Sequence, residues 1–147
     1  MPVLVADRDL ALLTCLQLIR TFQRIERRLE HCTEPHGLSL SQFDVLATLG
    51  RDEGITQQEL ARRLLVTKGN VCGLIDRMET AGWVARRPDP DDRRANRLFL
   101  TDRGRVLLSE TVPDHVAAVK EMLAPLGAAD LQSLYQLLDR LEESMTE

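Results

Sequence analysis

The chain of 147 residues is 44% hydrophobic and 29% charged, with a net charge of −4 at pH 7, which supports one core and argues against two independent domains. No run of about 18 apolar residues marks a membrane span, and residues 1–8 lack the basic and apolar regions of a secretory signal, so a cytoplasmic protein without membrane contact is expected. Cys15, Cys32 and Cys72 are odd in number and far apart, and they read as free thiols, not as a disulfide framework.

The first predicted element is a long helix from Asp9 to Cys32, whose apolar positions Cys15, Leu18, Phe22, Ile25, Leu29 and Cys32 alternate spacings of three and four. Its other face carries Arg20, Arg24, Arg27, Arg28 and Glu30. Ser39 and Gln42 form a capping box that opens a second helix through Phe43, Leu46 and Leu49, ending near Gly50. After a turn at Gly54, Thr56 and Glu59 make a second capping box, with Ile55 and Leu60 as its hydrophobic staple, for a short helix ending near Leu65. Thr67 is the expected cap of a third helix with the apolar face Val71, Leu74, Ile75 and Met78; Ala81 closes it and Gly82 takes the left-handed stop position. Two short helices joined by a tight turn outline a helix-turn-helix.

Strand character from Trp83 to Arg87, a Pro/Asp turn from Pro88 to Asp92 and alternation from Asn96 to Leu100 predict a hairpin wing. Thr101 then caps a helix running to about Leu123, which Pro113 is placed to kink or divide. Pro125 and Gly127 separate it from a last helix with Leu131, Leu134, Leu138, Leu141 and Met145 at helical spacing. The apolar stripes of the first and last helices need a partner. They can cover each other within a monomeric bundle or across two chains, and in so short a chain a dimerisation layer is the expectation. The fold class is therefore mainly α with a small β-hairpin wing, a winged helix-turn-helix. Residues 1–37 and 111–147 supply N- and C-terminal dimerisation helices around a lobe at residues 38–110.

Charge is unevenly distributed. Between Arg62 and Arg105 eleven Lys/Arg stand against six Asp/Glu, a local balance of +5, whereas the rest of the chain has eight against seventeen, or −9. An acidic body with a basic middle steers a polyanion onto one face. The start of the third helix offers Thr67, Lys68, Gly69, Asn70 and Gly73. Small residues there permit close approach to a major groove, Asn70 can pair with a base edge, and Thr67 and Lys68 can hold phosphates. Arg77 follows on the same helix, and Arg93, Arg94 and Arg97 lie on and around the wing turn, from which an arginine can enter a minor groove. Acidic residues within the wing make sense if a carboxylate braces a guanidinium in a fixed fork. Each residue alone also fits a plain helix cap or a solvated hairpin; together they point to double-stranded DNA.

The stretch from Leu38 to Glu110 resembles the core of the MarR family of bacterial transcriptional regulators. It carries the run Leu-Ser-Leu-Ser-Gln-Phe-Asp-Val-Leu, the Thr-Gln-Gln-Glu-Leu-Ala helix, the Ile-Asp-Arg-Met-Glu-Thr-Ala-Gly-Trp-Val junction, and the wing Asp-Asp-Arg-Arg leading into Leu-Phe-Leu-Thr-Asp-Arg-Gly. The resemblance implies a homodimer on a near-palindromic operator, often in its own promoter, acting as a repressor released by a small phenolic, other anionic or oxidant signal. Asp92 and Arg94 match the family's wing aspartate and arginine, which implies that Arg94 reaches the minor groove with Asp92 bracing it. Family ligand pockets lie between the dimer helices and the DNA-binding lobe, so Arg20, Arg24, His36 and Asp44 are candidates on position alone. Asp44 matches an acidic position of a urate-responsive branch, whose first-helix tryptophan is absent here and whose arginine is replaced by Gly73. Cys15 lies in the helix where a peroxide-sensing branch has its cysteine. The only tyrosine is Tyr135, however, and the place of Cys15 on the apolar seam predicts a buried thiol.

Other chemistries lack their motifs. His31, Cys32 and His36 are neighbours with no paired metal-ligand spacing, and His115 is remote, so no metal or other cofactor is expected. No Gly-rich phosphate loop, nucleophile elbow or metalloprotease motif suggests an enzyme. The competing readings are a redox- or metal-responsive regulator and a winged-helix module that binds protein.

Overall fold

A computed structural model describes residues 9–65 and 69–146. Helix α1 (Leu10–Thr33) starts at Asp9, whose carboxylate accepts the Ala11 N–H at 2.9 Å. A 3₁₀ turn (Glu34–His36) follows. Helix α2 (Leu40–Arg51) opens with the expected reciprocal box: Ser39 Oγ accepts the Gln42 N–H, and Gln42 Oε1 accepts the Ser39 N–H. Helix α3 (Gln57–Arg63) is capped by Thr56 Oγ1 on the Glu59 N–H. Here the Glu59 carboxylate turns forward to Arg62 and Arg63, one turn along the helix, and not back to the cap.

Helix α4 (Val71–Thr80) begins later than the sequence suggests. Its cap is Asn70, whose Oδ1 accepts the Gly73 N–H at 3.1 Å, and not Thr67, which with Lys68 lies outside the described residues. Gly69, at φ +107, turns the backbone immediately before that cap, a conformation that favours glycine. The helix ends as predicted. Gly82 at φ +81 lets its N–H reach the Glu79 carbonyl while the Trp83 N–H reaches that of Met78, a paired closure of the last turn.

Strands β1 (Val84–Pro88) and β2 (Asn96–Leu100) pair antiparallel, with Val84 opposite Leu100 and Pro88 opposite Asn96. The segment before α3 lies along β2, since the Gly54 N–H donates to the Leu98 carbonyl and the Leu98 N–H to that of Ile55. Helix α5 (Asp102–Leu123) runs unbroken through Pro113, and α6 (Ala128–Met145) follows. Among the described residues no helix is long and apolar enough to cross a membrane.

One core joins these elements: Leu38, Phe43, Val45, Leu46 and Leu49 meet Leu60, Leu74, Ile75, Met78, Val84, Leu98 and Leu100. The buried face of α4 is the predicted one, so its opposite face is turned outward on a rigid base. Burial on the outer helices is the reverse. Helix α6 buries none of its residues, and Leu16, Ile19 and Phe22 of α1 are exposed, as are Tyr135, Leu138 and Leu141 of α6. Cys15, expected as a buried thiol, is exposed, as is Phe22 on the same seam, whereas Leu18, Ile25, Leu29 and Cys32 of that seam are half-buried within the chain.

The first turn of α5 packs on the backbone of Trp83, and a Cβ at Gly104 would lie 2.1 Å from the Trp83 carbonyl oxygen. Backbone cannot yield as a flexible side chain can. Gly104→Ala should therefore lower unfolding stability by about 1–3 kcal/mol, the usual cost of overpacking, and urea denaturation followed by circular dichroism measures it.

Candidate nucleic-acid interface

Helix α4 and the wing form the exposed basic face. Arg77, Arg93 and Arg94 are exposed, and among the described residues they make no ion pair; Arg87 instead lies over the Phe99 ring at 4.6 Å. Their charge is available to an external anion. Gly69 and Asn70 are exposed and Gly73 is half-buried at the start of α4, where the Asn70 side chain serves as the cap already described. The missing side chain at Gly73 leaves room for its neighbours: a Cβ there would meet Asn70 Nδ2 at 3.2 Å and Arg77 Nη1 at 3.6 Å.

The bracing of the wing differs from the sequence expectation. Asp92 does not fork onto the Arg94 guanidinium; its Oδ1 accepts the Arg94 backbone N–H at 2.9 Å, which shapes the turn and leaves the arginine side chain outside it. The carboxylate that braces an arginine is Asp89. Its Oδ2 accepts the Arg97 Nε–H at 3.0 Å and its Oδ1 accepts the Asp91 N–H at 2.8 Å, while Arg97 Nη1 donates to the Gly54 carbonyl at 3.1 Å. The Asp91 N–H, and after it the Arg97 guanidinium, hold the Asp89 carboxyl below the usual carboxylate range although burial opposes them. Arg97 thus fastens the wing to the turn before α3. A Pro-Asp-Pro-Asp run signals such an Asx-turn, but only the strand register shows which aspartate faces Arg97.

Asp92 and Arg94 share with Cys72 and Asp76 of α4 a hollow of about 520 Å³ between the helix and the wing. The effector candidates are not brought together. His36 lines a cavity of about 430 Å³ with Trp83, Arg103 and Glu110, and its Nε2 lies 2.7 Å from Asp114 of α5. Asp44 lines a different cavity of about 570 Å³ between α1, α2 and α5, and its carboxylate accepts the Leu65 N–H at 2.6 Å. Arg20 and Arg24 stand exposed on α1 and line neither.

The larger cavity has an apolar wall, including Leu40, Phe43, Val112 and Val116, and Arg51, Arg63 and His115 as polar groups beside Asp44. His115 is the residue the sequence reading missed. Its ring packs against Phe43 at 4.5 Å between centroids, and among the described residues its buried Nδ1 has no hydrogen-bond partner. Helical spacing from Leu108 through Thr111 and Val112 places it on the inward side of α5, a signal present in the sequence. Of the thiols, Cys72 is exposed and Cys32 half-buried, and none is in a disulfide. Burial, and then the charge of Asp114, raises the Cys32 pKa and so disfavours the reactive thiolate.

Two helices in a helix-turn-helix, a hairpin wing on the same side and unpaired arginines on both define a winged helix-turn-helix DNA-binding protein. The known proteins agree. A MarR family profile matches residues 36–95. The HTH-type transcriptional regulator PecS of Dickeya dadantii is 32% identical over 131 residues, spanning 87% of this chain and 79% of its own. A crystal structure of a MarR mutant from E. coli complexed with operator DNA superposes with a TM-score of 0.80 and 28% identity, covering 90% of this chain and 98% of that one. The transcriptional repressor CouR, bound to a 23-mer DNA duplex, gives 0.77 and 29%, covering 86% and 89%. The chain belongs to the MarR family of DNA-binding transcriptional regulators.

Burial pushes the His115 imidazole below its ordinary pKa, against the pull of Asp44 in the other direction. The unfolded chain thus takes up the proton more readily, and stability held above about pH 6.5 is lost as pH falls through that value. Thermal midpoints should drop between about pH 7.5 and about pH 5.5, and His115→Phe should flatten that drop. Equal slopes in the two proteins would detach His115 from the effect.

Proposed function

We propose that the protein is a homodimeric, cytoplasmic repressor that holds a near-palindromic operator through α4 and the wing and lets go when a small anionic or phenolic ligand binds. The observation that carries the DNA half of this reading is the pair Arg93 and Arg94, exposed and without an ion pair among the described residues, at a turn whose shape Asp92 fixes. On this reading Arg94 enters the minor groove. Gly69, Asn70, Gly73 and Arg77 approach the major groove, Arg93, with Thr67 and Lys68, neutralises phosphates, and Asp92 and Arg97 keep the wing in shape. Two copies are needed because a palindrome presents two half-sites about one duplex turn apart. The apolar faces of α1 and α6, uncovered within one chain, supply a joining layer of the right kind. Relatives that match nearly the whole chain are transcriptional regulators, and no reaction is assigned to this one.

The ligand half rests on the cavity between α1, α2 and α5. Its volume of about 570 Å³ is in the range of small-molecule sites. Its apolar wall suits an aromatic ring, and Arg51 on its lining suits an acid or phenol. A ligand that prefers a dimer with mis-spaced recognition helices lowers operator affinity by linkage.

Binding of the purified protein to its own upstream promoter fragment and to random duplex, at two salt concentrations, tests the proposal. Salt-sensitive binding that prefers the promoter fragment is expected, with sedimentation reporting twice the chain mass; a shallow salt dependence on both duplexes counts for a protein partner instead. Arg94→Ala should cost about tenfold or more in promoter binding while mass and thermal midpoint persist, and Lys68→Ala should flatten the log–log salt slope by about one unit. Titration with salicylate as a probe acid should release the promoter, and Asp44→Ala or His115→Phe should shift the midpoint of that release.

A further inference from the structure

The remaining wing arginine, Arg86 of β1, is enclosed. Its side chain is 16% exposed, and every group around it belongs to this chain. Nε–H donates to Gln57 Oε1 of α3 at 3.3 Å, Nη1 to Asp76 Oδ1 of α4, and Nη2 to the Cys72 carbonyl of α4 at 3.4 Å. Glu79 of α4 lies 3.6 Å from Nη1 and also accepts the Arg86 backbone N–H at 3.2 Å. One guanidinium therefore ties β1 to both helices of the helix-turn-helix, using the planar fork that lysine lacks.

We propose that Arg86 is a positioning residue for DNA binding: it fixes the angle between the recognition helix α4 and the wing, and it touches no phosphate itself. Two observations carry this. First, one positive charge faces two carboxylates, so the cluster as a whole is negative and presents no net attraction to a phosphate. Second, the turn at Gly82 and Trp83, with Val84 in the core and Thr101 bonded to Gly82, holds only the base of the wing. Arg86 lies beyond that turn and ties the strand back onto α4. The wing is then held on both strands, by Arg86 on β1 and by Arg97 on β2. A helix in the major groove and an arginine in the adjacent minor groove must both be in register for a specific complex, whereas non-specific binding depends on phosphate charge alone.

The test uses the full chain and two duplexes, one selected from random-sequence DNA by the wild-type protein and one unselected. Arg86→Gln and Arg86→Lys should weaken the selected duplex about tenfold, leave the unselected one little changed, and keep the salt slope. A slope lower by about one with equal losses on both duplexes would make Arg86 a phosphate contact and overturn the proposal. Asp76→Asn is the sharper variant, because it removes a negative charge from a DNA-facing surface. Electrostatics alone predicts tighter binding to both duplexes and an unchanged ratio, whereas a positioning role predicts that the ratio of selected to unselected affinity falls. Once Arg86 is Gln, Asp76→Asn should add little to that fall. If Arg86→Gln does not fold, the Asp76→Asn ratio decides by itself, and an unchanged ratio rejects the role.

Discussion

The lobe depends on the close approach of the first turn of α5 to the backbone of Trp83. Gly104 permits that approach, and Thr101 secures it, donating its hydroxyl to the Gly82 carbonyl at 2.6 Å while accepting the Gly104 N–H at 3.1 Å. Three things are fixed at one point: the end of α4, the first strand of the wing and the start of the long helix α5 behind them. The hairpin separates α4 from α5 in sequence, yet these bonds bring the end of one against the start of the other, and α5 runs on from there to line the cavity.

The arginines of this face divide into two kinds by environment. Arg86 and Arg97 are ringed by acceptors from the chain itself, and their charges are answered internally. Arg77, Arg93 and Arg94 are exposed and make no ion pair among the described residues. To meet a phosphate, a guanidinium already held by a carboxylate must leave or share that partner, whereas a free one exchanges only water, so the second kind is better suited to meet a polyanion. Three of the segment's six acidic residues, Asp76, Glu79 and Asp89, are consumed in holding the first kind. Net charge on its own hides this arrangement.

Local chemistry made most of the fold legible. The Ser39–Gln42 box, the Thr56 cap and the Gly82 stop involve residues at most five apart, and each is where the sequence places it. The start of α4 was misread because Thr67 and Asn70 are both competent caps three residues apart; the choice belongs to Gly69, whose left-handed backbone ends the turn. The wing aspartate was misassigned for a different reason: Asp89 meets Arg97 across the hairpin, and a two-strand register is not written in neighbouring residues. His115 was passed over as a lone histidine, although its spacing put it on the inward face. Its significance comes from Phe43 and Asp44, distant in sequence and supplied by another helix.

Helix α6 has a further consequence. A segment of 18 residues that buries none of them receives little stabilisation from its own chain, because most helical stability in proteins comes from packing an apolar face. Whatever covers its apolar side therefore contributes to its folding, and the order of this end of the molecule becomes a function of how much of that cover is present. If the cover is a second copy, the number of functional molecules rises faster than in proportion to the amount synthesised while the dimer is still forming. Expression level would then act as an input to the protein alongside any ligand.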